Sequence, residues 1–274
     1  MQFDYKKSRS ISDLVDLRGR SVLVTGGGGY LGQAMALALA EAGASIALSD
    51  RDEARLTAAS AGLAAVTGVL PKTFVCELSS EDDVRALPAR VGEQFGGIDI
   101  LVNNAAFVGT SGLEGWAEPF ERQGMAAWRA ALEVNLTSIF ELTQAAMPYL
   151  KASRKASVIN IASIYGLLGP DWGLYAGTAM ANPAAYAASK GGLIQLTRWL
   201  ATTLGPDVRV NAISPGGIAR GQPTSFVNQY EARTPLKRMA CEDDFKGAIV
   251  FLASDMSNYV TGQNIIVDGG WSVW

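Results

Sequence analysis

Histidine is absent from the 274-residue sequence, and cysteine occurs only as Cys76 and Cys241. Imidazole is a common zinc ligand and is also the base of a Ser-His-Asp hydrolase, so the usual zinc sites and that hydrolase mechanism are excluded. Two cysteines are too few for a disulfide framework, which favours the reducing cytoplasm. The sequence therefore predicts a cytoplasmic protein whose chemistry uses no metal ion.

Long apolar runs and a large charge excess are missing as well. Glycines and charged residues interrupt the apolar stretches well before the roughly 20 residues that a membrane span requires, and the N-terminal MQFDYKKSRSISD has no apolar signal segment. The 26 acidic and 23 basic residues give a net charge of -3, and the basic residues are scattered. We therefore expect neither a membrane nor a nucleic acid as a partner, but a small molecule.

Short β-rich apolar runs alternate with longer helical segments along the chain. The runs are SVLVT, SIALS, TFVCEL, IDILVNN, SVINIAS, VRVNAIS and NIIVDG. This alternation predicts βαβ units, and hence an α/β fold whose doubly wound parallel sheet carries helices on both faces. We expect a single domain of this kind over residues 19–274, preceded by a polar N-terminal extension over residues 1–18.

Two stretches, at about residues 164–183 and 216–240, look irregular and are longer than ordinary connections. Both follow the C-terminal end of a predicted strand, which is the edge where open α/β sheets bind ligands. We expect both to be substrate loops.

A glycine-rich segment follows the first predicted strand directly. It reads Thr25-Gly26-Gly27-Gly28-Gly29-Tyr30-Leu31-Gly32 and leads into the helical run QAMALALAEAGA. Glycines let the backbone turn tightly and approach a pyrophosphate, whose charge the helix N-terminus stabilises. An isolated glycine run could be a surface turn, but the strand before it, the helix after it and an acid downstream indicate a dinucleotide-binding loop.

That acid is Asp50, at the end of the second predicted strand. Its carboxylate can accept hydrogen bonds from both adenosine ribose hydroxyls and would repel a 2′-phosphate, which favours NAD over NADP. Arg51 follows directly, and a nearby arginine is the usual device for accommodating the 2′-phosphate, so NADP stays an alternative. Asp50 could also cap the next helix.

Tyr186 and Lys190 stand four residues apart in the predicted helix NPAAYAASKGGLIQLTRWLATTLG. This spacing places them on one face of the helix, about a turn apart. An ammonium beside a phenol favours the phenolate and lowers a pKa that is ordinarily about 10, which suits an acid/base catalyst. Taken alone, such a pair would more often be ordinary surface decoration.

Further polar residues accompany this pair. Ser163 ends SVINIAS, Asn135 lies in the long predicted helix AALEVNLTSIFELTQAAM, and Asn103-Asn104-Ala105-Ala106 follows the fourth run. Together with TGGGGYLG, YAASK, NAISPGG and TGQNIIVDGG, this ordered set resembles the short-chain dehydrogenase/reductase family over residues 19 to 270. The resemblance implies a Rossmann fold with strand order 3-2-1-4-5-6-7.

The resemblance also implies an NAD(P)-dependent oxidoreductase that interconverts a secondary alcohol and a ketone by hydride transfer. Its implied catalytic tetrad is Asn135, Ser163, Tyr186 and Lys190. Tyr186 would exchange the proton while the Ser163 hydroxyl holds the substrate oxygen. Lys190 would bind the nicotinamide ribose, and Asn135 would hold a water that links Lys190 to solvent. The expected cofactor-binding residues are Thr25, Gly26, Gly29, Tyr30, Leu31, Gly32, Asp50, Arg51, Glu77, Leu78, Asn104, Ala105, Ala106, Tyr186, Lys190, Pro215, Gly216 and Ile218.

The chain departs from the family pattern in three places. Many short members have glycine where Tyr30 stands, and the spacing T-G-x-x-G-x-x-G is that of longer sugar-nucleotide epimerases. Arg220 stands where threonine is common, and we expect it to touch cofactor phosphate or an anionic substrate, or to be solvated. The interval from Ser163 to Tyr186 is also longer than is common, so its loop should overhang the substrate.

That loop carries aromatic and polar side chains suited to a polyhydroxylated ring. The expected substrate-binding residues are Tyr165, Trp172, Tyr175 and Arg220. The aromatic residues could instead anchor the loop or an oligomer contact. The loop resembles one in family members found with bacterial flagellin-glycosylation and nonulosonic-acid pathways, which implies a sugar, amino-sugar or sugar-phosphate substrate.

Other functions stay open on the sequence alone. A 3-oxoacyl thioester or a simple polyol is a rival substrate, a sugar-nucleotide epimerase would use NAD without net NADH production, and a dinucleotide-binding sensor would need no tuned phenol. The family resemblance further suggests a homotetramer or homodimer. The apolar ending GGWSVW is consistent with burial at such an interface.

Overall fold

Seven parallel strands form one sheet in the computed structural model, which describes residues 7–108 and 113–274. The strands are β1 (Ser21–Thr25), β2 (Ser45–Asp50), β3 (Lys72–Val75), β4 (Ile100–Asn103), β5 (Ala156–Ile161), β6 (Val208–Pro215) and β7 (Asn264–Val267). Their order across the sheet is β3-β2-β1-β4-β5-β6-β7, and each neighbouring pair is parallel. The fold class and the strand order expected from the sequence are confirmed.

Helices follow the strands and cover both faces of the sheet. Within the described ranges the α-helices are α1 (Ile11–Val15), α2 (Tyr30–Glu41), α3 (Glu53–Thr67), α4 (Glu81–Phe95), α5 (Met125–Leu132), α6 (Ser138–Ala152), α7 (Ala184–Leu204), α8 (Thr224–Arg233) and α9 (Lys246–Ala253). None of the helices in residues 7–108 and 113–274 combines the length and the apolar character that a membrane crossing requires.

Successive side chains of β1 enter two different cores. Val22 and Val24 pack with apolar residues of α2 and α9 on one face, whereas Leu23 packs with residues of α4 and α6 on the other. The alternation follows from the pleat of a strand. Because both sides are buried, each of these side chains contributes about 1.5–3 kcal/mol of hydrophobic stabilisation, which is why the strands are nearly continuous apolar runs.

The described part of the N-terminal extension packs on the domain. The Arg9 guanidinium lies 2.7 Å from the carboxylate of Asp255, and Leu17 is completely buried. Residues 1–6 of the extension lie outside the described residues, and the domain boundary at residue 18 stays a prediction.

Both loops expected to be irregular contain regular structure. The 216–240 stretch contains the ten-residue helix α8, and 3₁₀ turns form at Ile164–Gly166 and Trp172–Tyr175 in the other loop. Phe226 and Tyr230 of α8 are four residues apart and both buried. This apolar face is what makes the segment helical, because helix residues four apart lie on one side.

The C-terminal segment packs within the chain itself. Trp271 is buried, and its ring stacks on that of Tyr230 with the centroids 4.5 Å apart. Val273 and Trp274 are exposed. Burial of this ending at an oligomer interface stays a prediction.

Candidate active site

The candidate site lies at the C-terminal edge of the sheet, where the strand order reverses between β1 and β4. Thr25 ends β1, and its hydroxyl accepts hydrogen bonds from the backbone N–H groups of Asn104 and Ala105, at 3.0 and 3.2 Å. The segment after β4 is thereby fixed against the end of β1. Crevices at such switch points bind ligands in doubly wound sheets.

The glycine loop after β1 leaves no room for side chains on its inner side. Gly26 has a φ of +64°, a conformation that favours glycine. A Cβ at Gly32 would collide with the Gly26 carbonyl oxygen, and the Asn104 amide donates to the Thr25 and Gly26 carbonyls at 2.9 and 3.2 Å. Gly29 is the N-cap of α2 and provides no side-chain cap. This open helix start fits a pyrophosphate.

Asp50 stands where the sequence places the acid that would bind the adenosine ribose. One of its carboxylate oxygens accepts the Gly28 N–H at 3.1 Å and the other accepts the Asp52 N–H at 3.2 Å. Asp52, not Asp50, is the N-cap of α3, so the alternative capping role of Asp50 was wrong. Arg51 points to Glu77, with 3.8 Å between their charged groups.

The remaining residues expected to bind the cofactor lie along the same edge. Tyr30 and Leu31 begin α2, Glu77 and Leu78 follow β3, and Ala106 follows β4. Pro215 ends β6, Gly216 donates its N–H to the Val267 carbonyl at 2.9 Å, and Ile218 forms a β-bridge with Ala240. The structure therefore brings the whole set to one edge of the sheet.

Ser163, Tyr186 and Lys190 meet beyond the end of β5. The Lys190 ammonium donates a 2.7 Å hydrogen bond to the carbonyl of Ile161, the last residue of β5, and it lies 5.9 Å from the centroid of the Tyr186 ring. Ser163 is close enough to the Tyr186 hydroxyl to act against the effect of burial on the Tyr186 pKa. Ser163 lies two residues beyond the strand that it was expected to end, and its hydroxyl accepts the Tyr165 N–H at 3.2 Å.

The electrostatics of the pair differ from the sequence expectation. Burial raises the pKa of Tyr186 above its ordinary value, and Ser163 only opposes this. Burial lowers the pKa of Lys190 to about 8. The expected lowering of the Tyr186 pKa by Lys190 was therefore wrong. Burial has the larger effect on this pKa, and the Lys190 ammonium is bound to a backbone carbonyl.

Asn135 lies in a break of the long helix that the sequence predicts. A π-helical turn over Glu133–Thr137 separates α5 from α6, and such turns often occur at functional sites. The fully buried Asn135 side chain accepts the Phe107 N–H at 2.6 Å and donates to the Ser189 hydroxyl at 3.1 Å. The amide thus joins the segment after β4 to α7, and the expected water relay stays a prediction.

The aromatic residues of the 164–183 loop have two different environments. The hydroxyls of Tyr165 and Tyr175 are hydrogen-bonded at 2.5 Å, and the Tyr175 ring packs 5.6 Å from that of Phe226. Trp172 is 58% exposed. Tyr175 is thus an anchor between this loop and α8, which favours the packing alternative for this residue.

Arg220 has specific partners instead of a fully solvated side chain. Its guanidinium lies over the Tyr30 ring at 5.1 Å and pairs with Glu242 at 3.1 Å. It therefore links the second loop to the start of α2.

A family model described as enoyl-(acyl carrier protein) reductase matches residues 30–272. The chain belongs to the short-chain dehydrogenase/reductase family. It is an oxidoreductase that acts on CH–OH groups through NAD(P)-dependent interconversion of alcohols and ketones.

Relatives of this dehydrogenase/reductase match along nearly their whole length. The probable galactose dehydrogenase GalD of Rhizobium meliloti is 36% identical over 266 residues, which covers 94% of this chain and 97% of that protein. The 3-oxoacyl-(acyl-carrier-protein) reductase FabG of Thermotoga maritima is 31% identical over 261 residues, with 93% and 98% covered.

Solved structures also match this chain along nearly their whole length. NAD⁺-bound xylitol dehydrogenase has a TM-score of 0.83 at 32% identity and covers 93% of this chain and 99% of its own. Gluconate 5-dehydrogenase of Burkholderia cenocepacia, in complex with NADP and tartrate, has a TM-score of 0.85 at 29% identity, with 97% and 100% covered. The solved structures similar to this short-chain dehydrogenase/reductase thus include one with NAD⁺ bound and one with NADP bound.

Two groups at this site that the sequence did not single out belong to the backbone. Ile161 supplies the carbonyl that binds Lys190, and Phe107 supplies the N–H that binds Asn135. Every residue type has the carbonyl and every type except proline has the N–H, so no side-chain pattern could have found these groups.

Proposed function

We propose that the protein is an NAD-dependent dehydrogenase/reductase that interconverts a secondary alcohol and a ketone on a sugar, an amino sugar or a sugar phosphate. The observation that carries the proposal is the meeting of Ser163, Tyr186 and Lys190 at the edge of the sheet that also holds the glycine loop. Ser163 acts on the pKa of the Tyr186 hydroxyl, and Lys190 lies on the same helix one turn further on.

Tyr186 is the proton-transfer residue of this proposal. Its raised pKa keeps the phenol neutral, and this is the form that donates a proton to the alkoxide developing on a ketone substrate. In the oxidative direction the phenolate takes the hydroxyl proton. The Ser163 hydroxyl holds the substrate oxygen beside the Tyr186 hydroxyl. A nicotinamide dinucleotide held by the glycine loop would supply or accept the hydride.

Lys190 and Asn135 have supporting roles in this proton transfer. The Lys190 ammonium is fixed by the Ile161 carbonyl, 5.9 Å from the centroid of the Tyr186 ring. It would also bind the nicotinamide ribose. Asn135 holds the start of α7 against the segment after β4 and would position a water that carries protons from Lys190 to solvent.

The residues that would hold the dinucleotide fit that group. The helix start at Gly29 and the side-chain-free face of Gly26 and Gly32 suit a diphosphate. The Asp50 carboxylate would accept hydrogen bonds from both ribose hydroxyls and repel a 2′-phosphate. Arg51 lies 3.8 Å from the carboxylate of Glu77, which partly offsets the positive charge that would attract a 2′-phosphate. These contacts support NAD as the cofactor.

The proposed sugar class is supported by the names of similar proteins and by the loop that follows Ser163. Galactose and xylitol dehydrogenases are among the relatives and structural neighbours. Trp172 presents an exposed aromatic face on this loop, and aromatic faces pack well on the apolar sides of sugar rings. We place the protein in the branch associated with flagellin-glycosylation and nonulosonic-acid pathways on the likeness of this loop alone.

A 3-oxoacyl thioester is the second candidate substrate, because a 3-oxoacyl-(acyl-carrier-protein) reductase is among the relatives. An acyl carrier protein is acidic and would need a basic rim near the cleft. The second loop carries four basic residues, which are Arg220, Arg233, Lys237 and Arg238. The three arginines are paired with Glu242, Asp171 and Asp244, respectively. These pairings favour the sugar.

The test follows NADH absorbance while the purified protein is offered NAD with sugars, polyols, amino sugars, sugar phosphates and hydroxyacyl thioesters. Turnover of a sugar that falls at least about a hundredfold in Tyr186→Phe supports the proposal. Tyr259→Phe is the matched control, because Tyr259 is fully exposed. NAD binding without turnover of any compound would instead favour an epimerase or a sensor.

We also infer a homotetramer or homodimer in the cytoplasm. Phe140 on α6 and Trp199 on α7 are both exposed apolar side chains, which fits a surface covered by a second copy. Light scattering on the purified protein measures the assembly, and a monomer at micromolar concentration would contradict this part of the proposal.

A further inference from the structure

Two buried side chains close to Tyr186 have polar atoms without a hydrogen-bond partner. Trp116 is 3% exposed and Asn182 is 6% exposed. Neither the Trp116 indole N–H nor either amide atom of Asn182 has a partner among the described residues. A buried polar group left in this state costs about 1–3 kcal/mol, and proteins rarely tolerate it without a purpose.

The other two side chains with such an atom each have another polar partner within the chain. Asn103 uses its amide N–H to bind Asn160 at 2.9 Å, and Asp171 is ion-paired with Arg233. Trp116 and Asn182 differ from them, because no polar contact is recorded for either side chain within the described ranges.

Trp116 shares a cluster with the proposed proton-transfer residue, and Asn182 precedes the helix that carries it. Trp116 packs with Ala185, and Tyr186 packs on the same cluster. The ring of Trp116 is held edge-on to that of Phe107, with the centroids 4.8 Å apart. Asn182 precedes Pro183, the N-cap of the helix that carries Tyr186. The unpartnered atoms are therefore fixed near the start of α7.

Gln123 joins the two segments that carry these residues. Its side chain accepts the Ala184 N–H at 3.0 Å and donates to the Glu118 carbonyl at 3.1 Å. The segment around Trp116 is thus bonded to the turn that contains Asn182, so that both are held in place before any ligand binds.

The chemistry of the unpartnered atoms indicates a hydroxyl-rich ligand. An indole N–H only donates, whereas an amide both donates and accepts. Hydroxyl groups satisfy all three atoms because each hydroxyl can donate and accept. The hydrocarbon chain of an acyl thioester would leave them unpaired at the cost given above.

We propose that the Trp116 indole and the Asn182 amide bind the hydroxyl groups next to the reacting carbon, and so select polyhydroxylated substrates. This inference rests on the proposed sugar oxidoreductase function and deepens it. Both are positioning residues in the proposal, and the proton transfer stays with Tyr186.

The test compares Trp116→Phe and Asn182→Leu with the unaltered enzyme. Trp116→Phe keeps an aromatic ring and removes the N–H, and Asn182→Leu keeps the approximate volume and removes the amide. The substrates are galactose with 2-deoxygalactose, xylitol, cyclohexanol and 3-hydroxybutyryl-coenzyme A, so that hydroxyl-rich and hydroxyl-poor alcohols are measured side by side.

We expect each variant to lower kcat/KM for the hydroxyl-rich substrate by about tenfold or more, as for the loss of a buried hydrogen bond. The ratio of kcat/KM between galactose and 2-deoxygalactose, or between xylitol and cyclohexanol, should fall with it. NADH affinity should stay unchanged. A merely structural role would lower thermal stability, and it would lower kcat/KM for all substrates alike.

Trp128→Phe is the matched control, since Trp128 packs on the same cluster and its indole N–H is not among the buried atoms without a partner. It should leave the substrate ratios unchanged. If the unaltered enzyme turns over sugars and the two variants keep its substrate ratios, the inference is overturned and the proposed function stands. If the unaltered enzyme turns over only cyclohexanol or the thioester, or turns over no sugar, amino sugar or sugar phosphate at all, both fail.

Discussion

Arg220 lies over the ring of Tyr30, with 5.1 Å between the guanidinium carbon and the ring centroid. These are two positions at which the chain departs from the family pattern, which commonly has threonine and glycine there. Tyr30 lies at the start of α2 and Arg220 follows β6, and the fold brings their side chains together. Glu242 holds the guanidinium in place at 3.1 Å.

We expect this contact to strengthen cofactor binding, because it fixes the start of the helix that follows the glycine loop. Arg220→Thr and Tyr30→Ala should each weaken NADH binding about two- to fivefold, the range of an exposed cation–π contact. The double variant should be little worse than either single one. NADH fluorescence titration measures these affinities. Arg198→Thr, at an exposed arginine bonded within α7, should have no effect, and additive losses would show that Arg220 and Tyr30 act separately.

Asp50 should determine the choice of dinucleotide. In Asp50→Asn the repulsion of a 2′-phosphate is removed, so we expect the preference for NADH over NADPH to fall by about tenfold or more. Titration with both reduced dinucleotides measures it. Asp52→Asn is the matched control, because Asp52 caps α3. It should cost at most about 1 kcal/mol of stability and leave the preference unchanged. Equal preferences in the two variants would contradict the role of Asp50.

Lys190 should make the stability of the protein depend on alkaline pH. Its pKa is about 8 in the folded protein against an ordinary value of 10.5, so between these values the unfolded chain binds more protons. The stability of the unaltered protein relative to Lys190→Met should therefore rise with pH across this window, by at most about 1.4 kcal/mol per pH unit. Urea unfolding of both proteins from pH 7.5 to 10.5 measures it. A difference independent of pH would mean that the Lys190 pKa is not lowered.

Asp255 should be the charged residue at the N-terminal edge of the sheet whose neutralisation destabilises the protein most. Burial acts to raise its pKa, but hydrogen bonds from Lys155, Arg20 and Arg9 outweigh this and hold the pKa below its ordinary value. Asp255→Asn leaves buried positive charge uncompensated and should cost about 3–5 kcal/mol in the free energy of unfolding at pH 7. Because the folded pKa is lowered, this advantage of the carboxylate is present above about pH 4 and should shrink as the pH falls further.

Urea unfolding at pH 7 and at pH 3 checks this prediction. Arg9→Gln serves as the comparison, since Arg9 is half-exposed in its pair with Asp255 and should cost at most about 1 kcal/mol. Similar losses in the two variants would place the stabilisation in the exposed pair instead of the buried carboxylate.

The sequence by itself determined the strands of the sheet and most of the residues at its C-terminal edge. Strands buried on both faces must be apolar runs, a dinucleotide loop needs glycine where a Cβ would collide, and an i, i+4 spacing places Tyr186 and Lys190 on one helix face. Each of these is a local pattern, so each could be predicted from neighbouring residues. Helix α8 was missed although its apolar spacing is also local.

Only the tertiary structure decided the state of the site. Burial raises the pKa of Tyr186 although a lysine follows four residues later, since desolvation depends on all surrounding segments. Tyr175 became a packing anchor because α8 lies against its loop, and Arg220 met Tyr30 across the glycine loop. The Ile161 carbonyl and the Phe107 N–H carry no sequence signal, because a backbone group acquires its role from where the fold places it.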